Sequence, residues 1–194
     1  MKKALLVIDI SHGDGWYSSI EKLDEDRKQV ALPIKQTLEE WRASNGLIVF
    51  IVMVALQNPP LTPAQVTVDR KRSGCIICDL PAHQRLAGFL KHRHRAGFEP
   101  AFTKYRSNAF TNSELVNFLR SEGVTEVVLA GCNTFSCMLK TAQGAIENGF
   151  DVTLLEHCTY PIFSSDNEKR QWIEESLEDV MDIARVSVTI AQSV

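Results

Sequence analysis

The sequence predicts an α/β fold in which a mainly parallel sheet carries helices on both faces. Two observations predict it. Short apolar runs alternate along the chain with stretches of helical periodicity, the pattern of strands joined through helical crossovers. The runs themselves, such as ALLVIDI, LIVFIVMVA and VVLA, are apolar at successive positions, as expected of strands buried on both sides. At 194 residues the chain suits one well-buried core, so a single domain over residues 1–194 is expected.

The first strand spans residues 4–10 and carries an acid, Asp9, near its carboxyl end. Residues 24–44 read as an amphipathic helix that Pro33 should kink or divide. Asn45 and Gly46 end it, and residues 47–55 form a second buried strand. Residues 58–97, with Pro59, Pro60, Pro63 and Pro81, are the least periodic part and read as surface loop with short helical turns. A short third strand ends near Thr103, and a helix over about 112–122 follows. Val127, Val128 and Leu129 make the next strand, Ala130 to Asn133 break it, and Thr134 is placed to cap a helix. Residues 151–156 give a fifth strand. A helix over 166–183 offers Trp172 and Leu177 for its apolar face, and residues 184–190 close the sheet as a sixth strand. No internal repeat and no linker interrupts this order.

Composition narrows the function classes. Hydrophobic residues make up 44% and charged residues 23%, ordinary for a soluble globular domain. A net charge of -3 gives no reason to expect nucleic acid. The basic cluster from Lys91 to Arg95 lacks stacking aromatics and reads as a solvated face. The apolar run after Met1-Lys2-Lys3 is interrupted by Asp9 and lacks a small-residue cleavage site, so it reads as a strand instead of a signal peptide. No apolar run approaches the roughly 18 residues of a membrane helix. Five cysteines, an odd number without a small secreted framework, point to a reducing cytoplasm.

The chemistry concentrates at three strand ends. Cys137 follows Thr134 by three residues, in the first turn of its helix, where backbone N–H groups and the helix dipole favour an anion. Its thiol is therefore expected to ionise more easily than a free one and to act as a nucleophile toward a carbonyl. Asp9 lies at the end of the first strand and Lys104 just after the third. In an open parallel sheet those ends share one edge, and ligands bind in the crevice outside it. Singly, Asp9 reads as a cap, Lys104 as a surface charge and Cys137 as core packing; their joint placement favours a base, a cation and a thiol.

Three segments together resemble the isochorismatase-like cysteine hydrolases, the superfamily of nicotinamidases, N-carbamoylsarcosine amidases and isochorismatases. They are LLVIDI with Asp9, KYRSNAF with Lys104, and GCNTFSCMLKTAQGAIENGFDVTLL with Cys137, Thr141 and Ala142, spread over nearly the whole chain. The resemblance implies a six-stranded, three-layer α/β/α, Rossmann-like isochorismatase fold, in agreement with the strand count above. It also implies a cis peptide between Cys132 and Asn133, an oxyanion hole built from the Asn133 and Cys137 backbone N–H groups, and a homo-oligomer. Two departures alter the pocket walls. Phe135 stands where the family usually has Asp, and Asp9 is followed by Ile10-Ser11-His12-Gly13-Asp14-Gly15-Trp16 where many members have Asp-x-Gln-x-Asp-Phe. The substrate is therefore not carried over from any one member.

Other motifs have blander readings. Cys75 and Cys78 form a C-x-x-C, but a zinc site needs two more ligands, and His92 and His94 are spaced too closely for a structural finger. Two loop or core cysteines are expected instead. Nicotinamidases carry an Asp-x-His and a second His after their second strand, whereas Leu56 to Val68 of this chain holds no histidine, so no metal and no cofactor are expected. His12 reads as a surface or capping group. Cys132 and Cys158 read as packing or pocket lining, since His157 and Cys158 point to opposite faces of an extended segment. Trp16, Tyr105, Phe110 and Phe135 are candidates for an apolar lid or stacking wall around a small-molecule substrate.

The reading is a cysteine hydrolase of small amides, in which Asp9 exchanges the proton, Lys104 stabilises the thiolate and Cys137 carries a thioester. Two other classes remain. In a vinyl-ether hydrolase of the isochorismatase type Asp9 supplies the acid and no thioester forms; a non-catalytic binding or assembly module keeps the fold alone. The presence of Cys137 weighs against the first, and the complete triad against the second.

Overall fold

The computed structural model describes residues 1–11, 20–53, 99–104, 106–177 and 187–192. Among them, six parallel strands form one sheet: β1 (Lys2–Ile8), β2 (Leu47–Met53), β3 (Ala101–Lys104), β4 (Val124–Cys132), β5 (Asp151–Tyr160) and β6 (Val188–Ala191). Their order is β3-β2-β1-β4-β5-β6. Strand order thus reverses between β1 and β4, and in such sheets the crevice beyond the carboxyl ends at that reversal takes the ligand.

Successive residues of the central strands enter two different cores. Leu5, Val7, Phe50 and Val128 face helix α1 (Glu25–Ala43), whose stripe of Val30, Ala31, Ile34, Leu38 and Trp41 covers them. Leu6, Ile8, Ile51 and Leu129 face the other way, in one core with residues of α2 (Ser113–Ser121), α3 (Leu139–Glu147) and α4 (Asp166–Leu177). Burial on both faces is why these runs are apolar at consecutive positions.

Most expected elements are present, with informative differences. Helix α1 runs through Pro33 without division. The carbonyl that Pro33 leaves without its helical donor belongs to Gln29, on the exposed side where water reaches it, and the buried stripe carries the helix across. Strand β5 runs four residues beyond its expected end, and its last residues pair with the end of β4, Thr159 with Gly131 and Tyr160 with Cys132. In α4, Trp172 is buried as expected, whereas Leu177 is exposed. The segment over 58–97, the Cys75/Cys78 pair, His12, His92, His94, the region from Leu56 to Val68, and the ends of the second strand and of the 166–183 helix lie outside the described residues. Among the described residues, no helix is long and apolar enough to cross a membrane.

Candidate active site

Asp9 follows the last residue of β1 and adopts a left-handed backbone conformation, φ 53°. Aspartate tolerates this region better than most side chains, yet it still costs on the order of 1–3 kcal/mol and must be held by its surroundings. Two bonds to β2 hold it. The Asp9 N–H donates to the Ile51 carbonyl at 2.9 Å, and the Met53 N–H donates to Asp9 Oδ1 at 2.8 Å. The other carboxylate oxygen, Oδ2, meets Lys104 Nζ at 2.7 Å, in an ion pair whose side chains are 5% and 0% exposed.

Lys104 closes β3 and is itself fixed by a relay of polar contacts. Its Nζ donates to the Ser107 carbonyl at 3.2 Å. The Thr141 hydroxyl, on α3, donates to the same carbonyl at 3.3 Å and accepts the Ala109 N–H at 3.2 Å. Gly144, one turn further, leaves room for the Asn108 amide: a Cβ there would lie 2.3 Å from Asn108 Oδ1. The Ser107-Asn108-Ala109 element therefore seats the lysine on the same helix that begins with the cysteine turn.

At the end of β4, Gly131 has φ +133° and lies so close to β1 that a Cβ would fall 2.1 Å from the Ile8 carbonyl oxygen. The following peptide, Cys132–Asn133, is cis. The Asn133 side chain then caps the turn, accepting the Phe135 N–H at 3.0 Å. This corrects the expectation of a Thr134 cap: the Thr134 hydroxyl instead donates to the Pro161 carbonyl. The first turn, Thr134–Met138, is π-helical and leads into α3.

Cys137 lies in that turn, half-buried, within side-chain hydrogen-bonding reach of both Asp9 and Lys104. Burial and the Asp9 charge push its thiol above the ordinary cysteine range, outweighing the opposite pull of Lys104. The expectation of an easily ionised thiol is thereby overturned. The helix start and the lysine are visible in sequence, but the desolvation and the carboxylate beside the sulfur are products of the fold. Such a thiol keeps its proton at rest, with a carboxylate positioned to take it.

The Isochorismatase domain model matches residues 3–184. The chain belongs to the isochorismatase family. It is 28% identical over 123 residues to the maleamate amidohydrolase of Pseudomonas putida, a match that spans 63% of this chain and 56% of that relative. In fold, this isochorismatase-family chain is similar to N-carbamoylsarcosine amidase from Thermoplasma acidophilum, with a TM-score of 0.70 and 18% identity over 100% of this chain and 99% of that one. It is also similar to the nicotinamidase of Bacillus subtilis, at 0.63 and 21% over 97% and 99%. The Staphylococcus aureus nicotinamidase gives 0.63 and 15% over 99% and 98%.

The family fold brings Asp9, Lys104 and Cys137 together, with the Cys132–Asn133 peptide at the same sheet edge. It takes Phe110 out of the proposed aromatic wall. Phe110 is 6% exposed and packs on Phe150 at 5.6 Å, so it serves the core and has no face free to stack on a substrate. Its N–H is tied to Asn108 Oδ1 in a short helical turn, and this draws the ring inward. Phe135 is 43% exposed and borders a depression of 230 Å³ with Glu168, Gln171, Trp172 and Glu175. Trp16 and Tyr105 lie outside the described residues.

Cys158 is buried against α1, its sulfur 3.4 Å from Thr37 Oγ1, and burial pushes its thiol up to about 11. Cys132 packs at the edge of the same core. Sequence reasoning assigned no role to Ser107 or Gly144, and gave Trp172 only a place on the apolar face of its helix. For Gly144 a signal existed, a small residue facing the Lys104 motif, but only the fold identifies Asn108 as its neighbour. Among the described residues, no group of three or more His, Cys, Asp or Glu is placed to hold a metal ion.

Proposed function

We propose that this chain is a cysteine hydrolase that cleaves the C–N bond of a small amide through a thioester on Cys137. The observation that carries the reading is the buried Asp9–Lys104 pair facing the Cys137 thiol at the point where strand order reverses. As sulfur adds to the amide carbonyl, the thiol proton passes to Asp9, so that no free thiolate has to accumulate beforehand. Lys104 offsets the negative charge on the carboxylate and on the developing sulfur anion.

The tetrahedral oxyanion is received by the backbone N–H groups of Asn133 and Cys137, each such donor being worth about 3 kcal/mol of barrier. Collapse expels the amine, which takes the proton back from Asp9, and leaves an acyl thioester. Water, giving a proton to Asp9, then cleaves the thioester to the acid and restores the thiol. The sum is amide plus water to acid plus amine.

Relatives named as amidohydrolases and amidases support the C–N bond as the target. The same reading takes the chain as one domain that assembles as a homo-oligomer, which light scattering would test. It places the protein in the cytoplasm, in keeping with the free thiols of Cys132, Cys137 and Cys158.

The deciding experiment is a screen of small primary amides and carbamoyl compounds for ammonia release, with intact-protein mass spectrometry of quenched reactions. An acyl adduct on Cys137, lost together with turnover in Cys137→Ala, is expected. Full turnover in Cys137→Ala would reject the thioester and favour acid catalysis by Asp9 alone.

A further inference from the structure

The nucleophile turn is wider than an α-helix, and the structure identifies what keeps it so. In an α-helix the Met138 N–H would bond the Thr134 carbonyl, four residues back. Here it passes over that group and bonds the Asn133 carbonyl at 3.0 Å, five residues back. The Thr134 carbonyl, passed over by the Met138 N–H in a fully buried residue, accepts the indole N–H of Trp172 at 2.9 Å. The indole bond favours the wide turn that leaves the buried carbonyl open to it, and breaking that bond inside the core is costly, so the tryptophan and the wide register support each other. Trp172 comes from α4, is 1% exposed, and is braced by Phe163, edge-on at 6.5 Å. The Thr134 hydroxyl is held from the same side of the chain, by the Pro161 carbonyl.

We propose that Trp172 is a positioning residue for the nucleophile. By occupying the Thr134 carbonyl it holds Thr134–Met138 in the π register, and that register sets where the Cys137 sulfur meets Asp9 and Lys104 and where the Cys137 N–H points. If the indole donor is lost, the Met138 N–H returns to Thr134, the turn tightens, and the sulfur rotates away from its two charged neighbours. The inference deepens the cysteine-hydrolase reading and rests on it for its catalytic meaning.

The test is Trp172→Phe, which keeps an aromatic ring and removes the donor, with Leu38→Ala as a control that destabilises the opposite core. Two readouts are needed. The pH dependence of Cys137 alkylation by iodoacetamide requires no substrate. In Trp172→Phe its midpoint should move down toward that of an ordinary thiol, because the burial and the Asp9 charge that raise it both weaken. Against the amide found by the screen, kcat should fall about 10²-fold with KM little changed, the size expected for a misplacement near 1 Å. Leu38→Ala should lower Tm and leave the alkylation midpoint in place.

A wild-type alkylation midpoint and wild-type kcat in Trp172→Phe would overturn the proposal. So would an equal shift in Leu38→Ala, which would make the effect one of general stability. A shifted midpoint with no amide turnover in either protein would locate the failure in the hydrolase reading and leave the positioning role standing. If Trp172→Phe does not fold, replacement of Trp172 by benzothienylalanine, which matches the indole in shape and lacks its N–H, gives the same readouts.

Discussion

Two buried ion pairs sit at opposite ends of β3. At the amino end, Arg42 from the last turn of α1 grips Glu99 with two contacts, Nε to Oε1 at 2.7 Å and an Nη2 bond to Oε2 at 3.0 Å. At the carboxyl end, Lys104 meets one oxygen of Asp9 at 2.7 Å, and the other oxygen is held by a backbone N–H of β2. Burial is similar, so burial alone does not mark a functional site. The difference lies in geometry and company. The fork of Arg42 occupies both oxygens of Glu99 and ties a helix end to a strand start. The point charge of Lys104 leaves Asp9 oriented by the backbone, with a thiol within reach of both groups.

That contrast is broken most directly by neutralising each acid in turn. Asp9→Asn retains a side chain suited to the left-handed backbone but removes the proton acceptor, and turnover should fall by roughly 10²–10⁴ as measured by ammonia release. Glu99→Gln should behave in the opposite way. Removing the Glu99 charge from this buried ion pair should cost about 3 kcal/mol in urea unfolding, with kcat of the folded protein close to wild type. A large kcat loss in Glu99→Gln, or full activity in Asp9→Asn, would erase the distinction.

Alkylation sharpens it. The Asp9 charge raises the Cys137 thiol and Lys104 lowers it. Asp9→Asn should therefore speed iodoacetamide labelling of Cys137 near neutral pH while lowering turnover, and Lys104→Ala should slow labelling. Parallel changes in the two variants would mean that the charges do not act on the sulfur as described.

Smaller effects come from the supports. Thr141→Val removes the hydroxyl that joins the Ser107 carbonyl to the Ala109 N–H, and should cost about 1–2 kcal/mol in stability, with a modest loss of kcat through Lys104. Last is Cys158→Ser, whose effect is confined to alkaline pH. Because the folded thiol is raised from 9.0 to about 11, folded protein binds that proton more tightly than unfolded chain. Its contribution is complete below about pH 9 and is lost as pH rises toward about 11. The serine variant does not ionise there, so its Tm should gain on wild type across that interval; parallel Tm curves would reject the shift.

The sheet was legible because strands buried on both faces are written as unbroken apolar runs. The meeting of Asp9, Lys104 and Cys137 was legible because Asp9 and Lys104 abut the ends of such runs and Cys137 lies in the helical turn that follows one. What escaped is what depends on contacts between distant segments. Thr134 looks like a cap, and it lost that role to Asn133 because its hydroxyl reaches Pro161 across the fold. Phe110 looks like a wall, and Phe150 drew it into the core. The sign of the Cys137 shift depended on desolvation, which no local pattern encodes.

Gly131 has a consequence for how this protein can change. With a Cβ at that position 2.1 Å from the Ile8 carbonyl oxygen, β1 and β4 approach as bare backbone just below Asp9 and the cis peptide. The floor of the crevice therefore has no side chain to trade for another, and no substitution there tunes what is accepted without prying the central strands apart. Divergence at this sheet edge is left to residues that border it without bearing on this contact, so Asp9 and the Cys132–Asn133 turn keep one register whatever changes around them.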